Sequence, residues 1–381
     1  MKIAVVGAGL MGRAAVYDLA QNKDVTKVGV YDINGRLARD IAGKYGGSKT
    51  TSGRLDAGDT KKAAQIFARF DAVISAVTYK YNPGLAKAAI KGGAHFMDMG
   101  GNNDAVAEAF KLNQQAKKAG VVIIPDCGLA PGMVSVLAAG DLARFDKPES
   151  LQIRVGGLPQ NPHPPLDYQM VFSAEGLINE FFEPVLAISK GKKIKLPPMV
   201  GIEELTFRGI GKLEAFTTSG GTSTLPKTYG RILKNLDYKT IRYPGFCEKF
   251  KVMLDLGLAS WDKVSADGVK VSPRSVLKAV LDEQLSYGEP DLVLVRLITE
   301  GKIKGKKKKL VSEIIDFEDR KTGLTAMMRC TAFPVAIIAA MAASGKITTR
   351  GVVPQEKAVD PGLFDKELAA RNIKLKRRWV K

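Results

Sequence analysis

Two aspartates close short apolar runs in the first third of the chain, Asp98 at the end of HFMD and Asp126 at the end of VVIIPD. A carboxylate in such a place can take up the proton when an amine is oxidised to an imine, although it can equally cap a helix or close a turn. Upstream, Gly7, Gly9 and Gly12 form a GxGxxG in GAGLMG, with Leu10 and Met11 between the last two glycines. The first glycine permits a tight turn, the second lets backbone approach a pyrophosphate, and the third lets helix pack closely on strand. Free N–H groups and the dipole at the helix start favour the anion.

Asp32 stands twenty residues after Gly12, at the end of KVGVYD. A carboxylate there hydrogen-bonds ribose hydroxyls and repels the extra phosphate of NADP, so the expected cofactor is NAD. Arg36, just past it, is the residue that could restore NADP binding. Asp56 falls where the third strand should end, near the adenine, or else caps the helix that follows. Ala76, Val77 and Thr78 follow the apolar run DAVISAV and are expected beside the nicotinamide, because ligands bind outside the carboxyl ends of such strands.

A substrate needs groups beyond these. Tyr79 lies in the turn TYKYNPG, close after the fourth run. In the second half of the chain Arg242, in KTIRYPG, could hold a carboxylate bidentately. Tyr168, Glu175 and Glu214 could receive an ammonium, the alternative being a structural role for each. This set suits an amino-acid substrate.

The elements that must position these groups change character part-way along. From residue 1 to about 127, short apolar runs alternate with helix-length amphipathic segments, which predicts βαβ units and a doubly wound parallel sheet. The helix of the glycine motif should run from Met11 to about Asn22. After Pro131 glycine and proline become frequent, and alternating segments such as SLQIRVG and DLVLVRLI predict a mostly antiparallel sheet in an α+β domain. Thr331 to Ser344 reads as a buried helix closed by Gly345 that returns to the first domain. The expected division is therefore 1–127 with 331–381 as a Rossmann domain, and 128–330 as a substrate-binding, oligomer-forming domain.

Composition narrows the classes further. The chain has 381 residues, 45% hydrophobic and 25% charged, as in ordinary folded proteins with two cores. Pro334 to Ala343, the longest apolar run, is short of a membrane span, no signal peptide is read at the start, and a cytoplasmic protein is expected. Three separated cysteines and two histidines predict neither a metal site nor a disulfide framework. The net charge of +19 would suggest nucleic acid, but twelve cations are concentrated in GKIKGKKKKL and RNIKLKRRWVK. The first reads as the solvated tip of a hairpin between LVLVRLIT and LVSEIIDF, so nucleic acid is not the expected partner.

GAGLMG, Asp32, DCGLAPGM, GGLP, FSAEGL, LEAFTTSGGTSTL and KTIRYPGFCEKFK together resemble the saccharopine-dehydrogenase-like family, and within it the lysine 6-dehydrogenases, over residues 1 to about 360. The resemblance implies NAD-dependent oxidative deamination of the side-chain amine of L-lysine, giving a semialdehyde that cyclises, by a homodimer or higher homo-oligomer. The alternative within the same fold is reductive joining of an amine and a semialdehyde. A non-catalytic NAD-binding protein with basic nucleic-acid-binding segments is the reading from another class. Saccharopine-handling relatives tend to have Asp and His in a CGLDPGIDH-like stretch, whereas this chain has CGLAPGMVS, with Ala130 and Ser135.

Overall fold

The structure, a computed structural model, describes residues 1–380. Its strands begin with β1 (Lys2–Val6), β2 (Lys27–Asp32), β3 (Thr50–Arg54), β4 (Ala72–Ser75), β5 (His95–Asp98) and β6 (Val122–Ile124). There follow β7 (Lys147–Pro159), β8 (Val185–Ser189), β9 (Lys192–Leu196), β10 (Glu203–Phe207), β11 (Gly211–Thr217) and β12 (Asn235–Arg242). The last are β13 (Val264–Ala266), β14 (Val269–Val271), β15 (Asp291–Ile303), β16 (Lys306–Phe317), β17 (Gly351–Val352) and β18 (Lys376–Val380). They are distributed over two compact units.

The first unit comprises Met1–Gly140 and Met328–Ile373. Its seven strands run in the order β17-β6-β5-β4-β1-β2-β3, and every pairing is parallel. Ile3, Ala4, Val5 and Val6 are all buried, as a strand covered on both faces requires. The order reverses between β1 and β4, which makes the carboxyl ends of those strands the binding end of the sheet. The glycine-motif helix spans Leu10–Gln21, close to its expected limits.

The helix Ala326–Ala343 is apolar on every side and 89% buried over its length. It meets the length and hydropathy of a membrane span, yet from Met328 onward it belongs to the first unit's core. The later chain is also tied there by Arg371, whose Nε and Nη2 donate to the two oxygens of buried Asp18 at 2.6 and 3.0 Å. Gly345 follows the helix with φ +75°, a left-handed conformation that costs glycine little.

The second unit comprises Asp141–Met327 and the chain from Lys374. Its main sheet runs β10-β11-β12-β7-β15-β16-β18, with β8 on β12 and β9 on β8; among the described residues the β7–β12 pair alone is parallel. This is the α+β domain with a mostly antiparallel sheet that the alternating segments predict. The hairpin β15–β16 turns on Lys304 and Gly305, both at positive φ. Lys306, Lys307, Lys308 and Lys309 lie in β16 rather than in the turn, so the charged run builds strand as well as tip.

The unit limits differ from those expected at the C-terminus. β18 pairs with β16, and Arg377 reaches the fully buried Asp141 side chain at 2.6 Å, so the tail is held in the second unit rather than the first. A cationic stretch read as a solvated end thus covers a sheet edge and neutralises a buried acid. Lys381 lies outside the described residues.

Candidate active site

The glycine loop shows three different constraints. A Cβ on Gly7, which sits at φ +101°, would lie 2.6 Å from the Ala76 carbonyl oxygen, and one on Gly12 would lie 1.8 Å from the Gly7 carbonyl oxygen. A Cβ on Gly9 would meet nothing within 4 Å. The first and third glycines are therefore demanded by the protein's own packing, whereas the second leaves open space in front of the helix Leu10–Gln21. Gly9 is the N-cap of that helix and provides no side-chain cap, so the first-turn N–H groups are available to an anion. Leu10 is exposed and Met11 half-buried beside them. These features fit a dinucleotide, and this unit is a nucleotide-cofactor-binding domain.

Asp32 ends β2 with its carboxylate fixed by backbone. Oδ2 accepts the Ala8 N–H and Oδ1 the Asn34 N–H, each at 2.8 Å. The residue is half-buried, and each oxygen retains a lone pair for a ribose hydroxyl. Asp56 lies two residues past β3 and turns back on itself, with Oδ1 accepting the Gly58 N–H at 2.8 Å. Asp59, not Asp56, caps the next helix by accepting from Lys62 N–H at 3.0 Å. Ala76 follows β4 with its N–H on the Val6 carbonyl at 2.7 Å, Val77 packs on the apolar core, and Thr78 is exposed. Tyr79 is half-buried beside the Asp98 loop, because a Cβ on Gly101 would lie 3.3 Å from its ring.

Asp98 and Asp126 come together at the ends of β5 and β6. Asp98 is buried, and its Oδ1 accepts the N–H groups of Gly100 at 2.8 Å and Asp126 at 3.1 Å. Burial pushes its carboxyl up to about 6 against the pull of those N–H groups. Asp126 is also buried and sits at φ +61°, a strained conformation held by this loop. A Cβ on Gly100 would lie 2.5 Å from its Oδ1, which is why glycine is needed opposite. Cys127 follows, its thiol raised by burial and by the two aspartates, and is unsuited to act as a nucleophile.

In the second unit the functional side chains gather around Arg242 at the end of β12. The residue is 2% exposed; its Nη1 donates to the Ile241 carbonyl at 2.8 Å, while its buried Nε has no hydrogen-bond partner. The guanidinium carbon lies 4.5, 5.4 and 5.7 Å from the ring centres of Tyr168, Phe246 and Phe181. The Tyr168 hydroxyl is buried without a partner as well, and burial raises it to about 12. Glu180 is half-buried on the helix Ala174–Phe182 and makes no side-chain hydrogen bond within the described residues. Burial lifts its carboxyl to about 7, with Arg242 pulling the other way. A guanidinium, a carboxyl and a phenol with unmet hydrogen bonds, among aromatic rings, are what a small zwitterion would satisfy.

The family models decide where this arrangement belongs. Residues 3–124 match the saccharopine dehydrogenase NADP binding domain, and residues 128–373 match the saccharopine dehydrogenase C-terminal domain. The chain belongs to the saccharopine dehydrogenase family. It is 26% identical over 307 residues to the NADP(+), L-glutamate-forming saccharopine dehydrogenase of Saccharomyces cerevisiae, covering 76% of this chain and 66% of that relative, just under two thirds of its length. Carboxyaminopropylagmatine dehydrogenase of Synechocystis sp. is 24% identical over 302 residues, covering 76% and 74%. The solved apo structure of the S. cerevisiae L-Glu-forming saccharopine dehydrogenase has the same fold, with a TM-score of 0.81 at 22% identity and complete coverage of both chains.

This family member is thus an oxidoreductase acting on carbon–nitrogen bonds of amino-acid-related substrates. Its structure corrects two of the expected substrate contacts. Both Glu214 oxygens are occupied, accepting the N–H groups of Gly245 at 2.8 Å and Cys247 at 2.7 Å, and so start the helix Phe246–Asp255. Glu175 accepts from the Arg274 guanidinium at 2.8 Å, and that arginine is buried and also bound to Asn179. Neither carboxylate remains for an ammonium. Glu180 takes that place, and the sequence carried a signal for it: Ala174, Leu177, Ile178 and Phe181 are a buried helical stripe, and Glu180 lies three residues past Leu177 beside it. Among the described residues no group of three metal-ligating side chains occurs.

Proposed function

We propose that the chain is an NAD-linked dehydrogenase that forms or oxidises the carbon–nitrogen bond between an amine and the semialdehyde carbon of an amino-acid-derived partner. The observation that carries this reading is the Arg242, Glu180 and Tyr168 cluster with its unmet hydrogen bonds. Arg242 would hold the α-carboxylate, the ionised form of Glu180 the α-ammonium, and the rings of Tyr168, Phe181 and Phe246 the carbons between. Asp32 supports NAD, because its fixed carboxylate is suited to ribose hydroxyls and opposes an added phosphate. When bound, the nicotinamide accepts or returns the hydride at the carbon bearing nitrogen. Asp126 would take up or return the proton at nitrogen, and Asp98 would hold the Asp126 backbone in place through the shared N–H contact. The relatives named for saccharopine and carboxyaminopropylagmatine support the condensation direction.

Oxidative deamination of L-lysine is the second reading. It is favoured by the CGLAPGMVS stretch, in which Ser135 is fully buried and its hydroxyl accepts from Gln355 at 3.2 Å, away from any ligand. The test is NADH absorbance in both directions. Loss of NADH with an amino-acid semialdehyde that depends on an added amine supports condensation, whereas gain of NADH with L-lysine and NAD alone supports deamination. Arg242→Met and Glu180→Gln should each raise KM for the amino acid with little change in the affinity for NADH. Turnover in neither direction with any amine would refute the assignment.

A further inference from the structure

A second arginine lies beside Asp32 and was not singled out by the sequence. β2 and β3 are parallel neighbours in which Asp32 pairs with Arg54, at the matching carboxyl ends of the two strands. Arg54 Nε donates to the Ile33 carbonyl at 3.2 Å, on the loop directly after Asp32. The stem of Arg54 passes so close to Gly35 that a Cβ there would lie 3.2 Å from the Arg54 Cβ. The exposed guanidinium is thereby held on the loop that carries Asp32, on the β3 side of the sheet. Arg36 starts the next helix from the same loop and is also exposed. The nearest further acid, Asp56, has one oxygen engaged by Gly58 N–H.

We propose that Arg54, assisted by Arg36, is a specificity-determining residue that accepts the 2′-phosphate of NADP, so that the chain binds both dinucleotides despite Asp32. The proposal rests on the dinucleotide reading of the first unit. The ribose hydroxyls are taken by Asp32, and β3 is the strand flanking β2 on its open side. A phosphate added at the 2′ position gains two cations where it meets one carboxylate, and planar guanidinium groups bind phosphate oxygens in pairs.

Direct binding, read by quenching of protein fluorescence with NADH and with NADPH, tests this without turnover. Arg54→Met keeps the stem over Gly35 and removes the charge. It should weaken NADPH about tenfold or more, the loss of one charge-assisted contact, and leave NADH within about twofold. The salt sensitivity of NADPH binding should fall with it. An unchanged NADPH-to-NADH affinity ratio in Arg54→Met, or wild-type protein that binds NADH alone, would overturn the role of Arg54 while leaving the dinucleotide site intact. Binding of neither nucleotide by wild-type protein would overturn both.

Discussion

Gly9 and Gly12 are three residues apart in one motif, yet alanine at each should fail for a different reason. At Gly12 the added Cβ would sit 1.8 Å from the Gly7 carbonyl oxygen, whereas carbon and oxygen cannot approach much inside 3 Å. The helix Leu10–Gln21 would have to move away from β1 by more than an ångström, and overpacking of this kind costs about 1–3 kcal/mol. In a unit of this size each kcal/mol lowers Tm by about 2–4 °C, so Gly12→Ala should melt roughly 2–12 °C lower. At Gly9 the Cβ would enter open space, and φ −69°, ψ −162° suits alanine, so the penalty is limited to a poorer N-cap at about 0.5–1 kcal/mol. That space is where a pyrophosphate must approach the first-turn N–H groups, and Gly9→Ala should weaken NADH by about tenfold or more, since each lost charge-assisted hydrogen bond is worth about 1.5–3 kcal/mol. Thermal melts by circular dichroism and a fluorescence titration with NADH measure the two effects separately. If Gly9→Ala binds NADH normally, or melts as low as Gly12→Ala, the assignment of the space beside Gly9 to the cofactor is refuted.

Asp98 should give stability a pH dependence of known sign. Its folded value of about 6 lies above the ordinary carboxylate value, so the native state keeps a proton that the unfolded chain has lost; stability falls as pH rises through the window between them and is level above it. Asp98→Asn should remove that slope in denaturant titrations from pH 4 to 8 and relieve at most about 3 kcal/mol at neutral pH; an identical slope in the variant would show that another group titrates. Glu214→Ala leaves the N–H groups of Gly245 and Cys247 buried without acceptors and should cost about 1–3 kcal/mol by urea denaturation, with Glu214→Gln closer to wild type. Arg377→Ala leaves the Asp141 carboxylate buried without its cation and should cost about 3 kcal/mol at neutral pH but less in acid; an equal loss at both pH values would mean that packing, not charge, is what Arg377 supplies.

The order of strands, the glycine loop, Asp32 and the change from parallel to antiparallel sheet were legible in the residues, because each rests on local periodicity or on a turn that few residues can make. The pairing of β5 with β6 that brings Asp98 to Asp126 also follows from both aspartates closing runs in one parallel sheet. Roles that depend on what a side chain meets across the chain were not legible. Glu175, Glu180 and Glu214 look alike in sequence; Arg274 claims the first, two backbone N–H groups of a helix start claim the third, and Glu180 is left facing Arg242 because its helix places it beside a buried stripe. Likewise the C-terminal cations read as a solvated tail until β16 offered them a sheet edge and Asp141 a buried countercharge. Sequence thus determined which elements form and where a dinucleotide fits, since those follow from backbone geometry, while only the tertiary structure decided which charged groups are consumed by neighbours and which remain for a ligand.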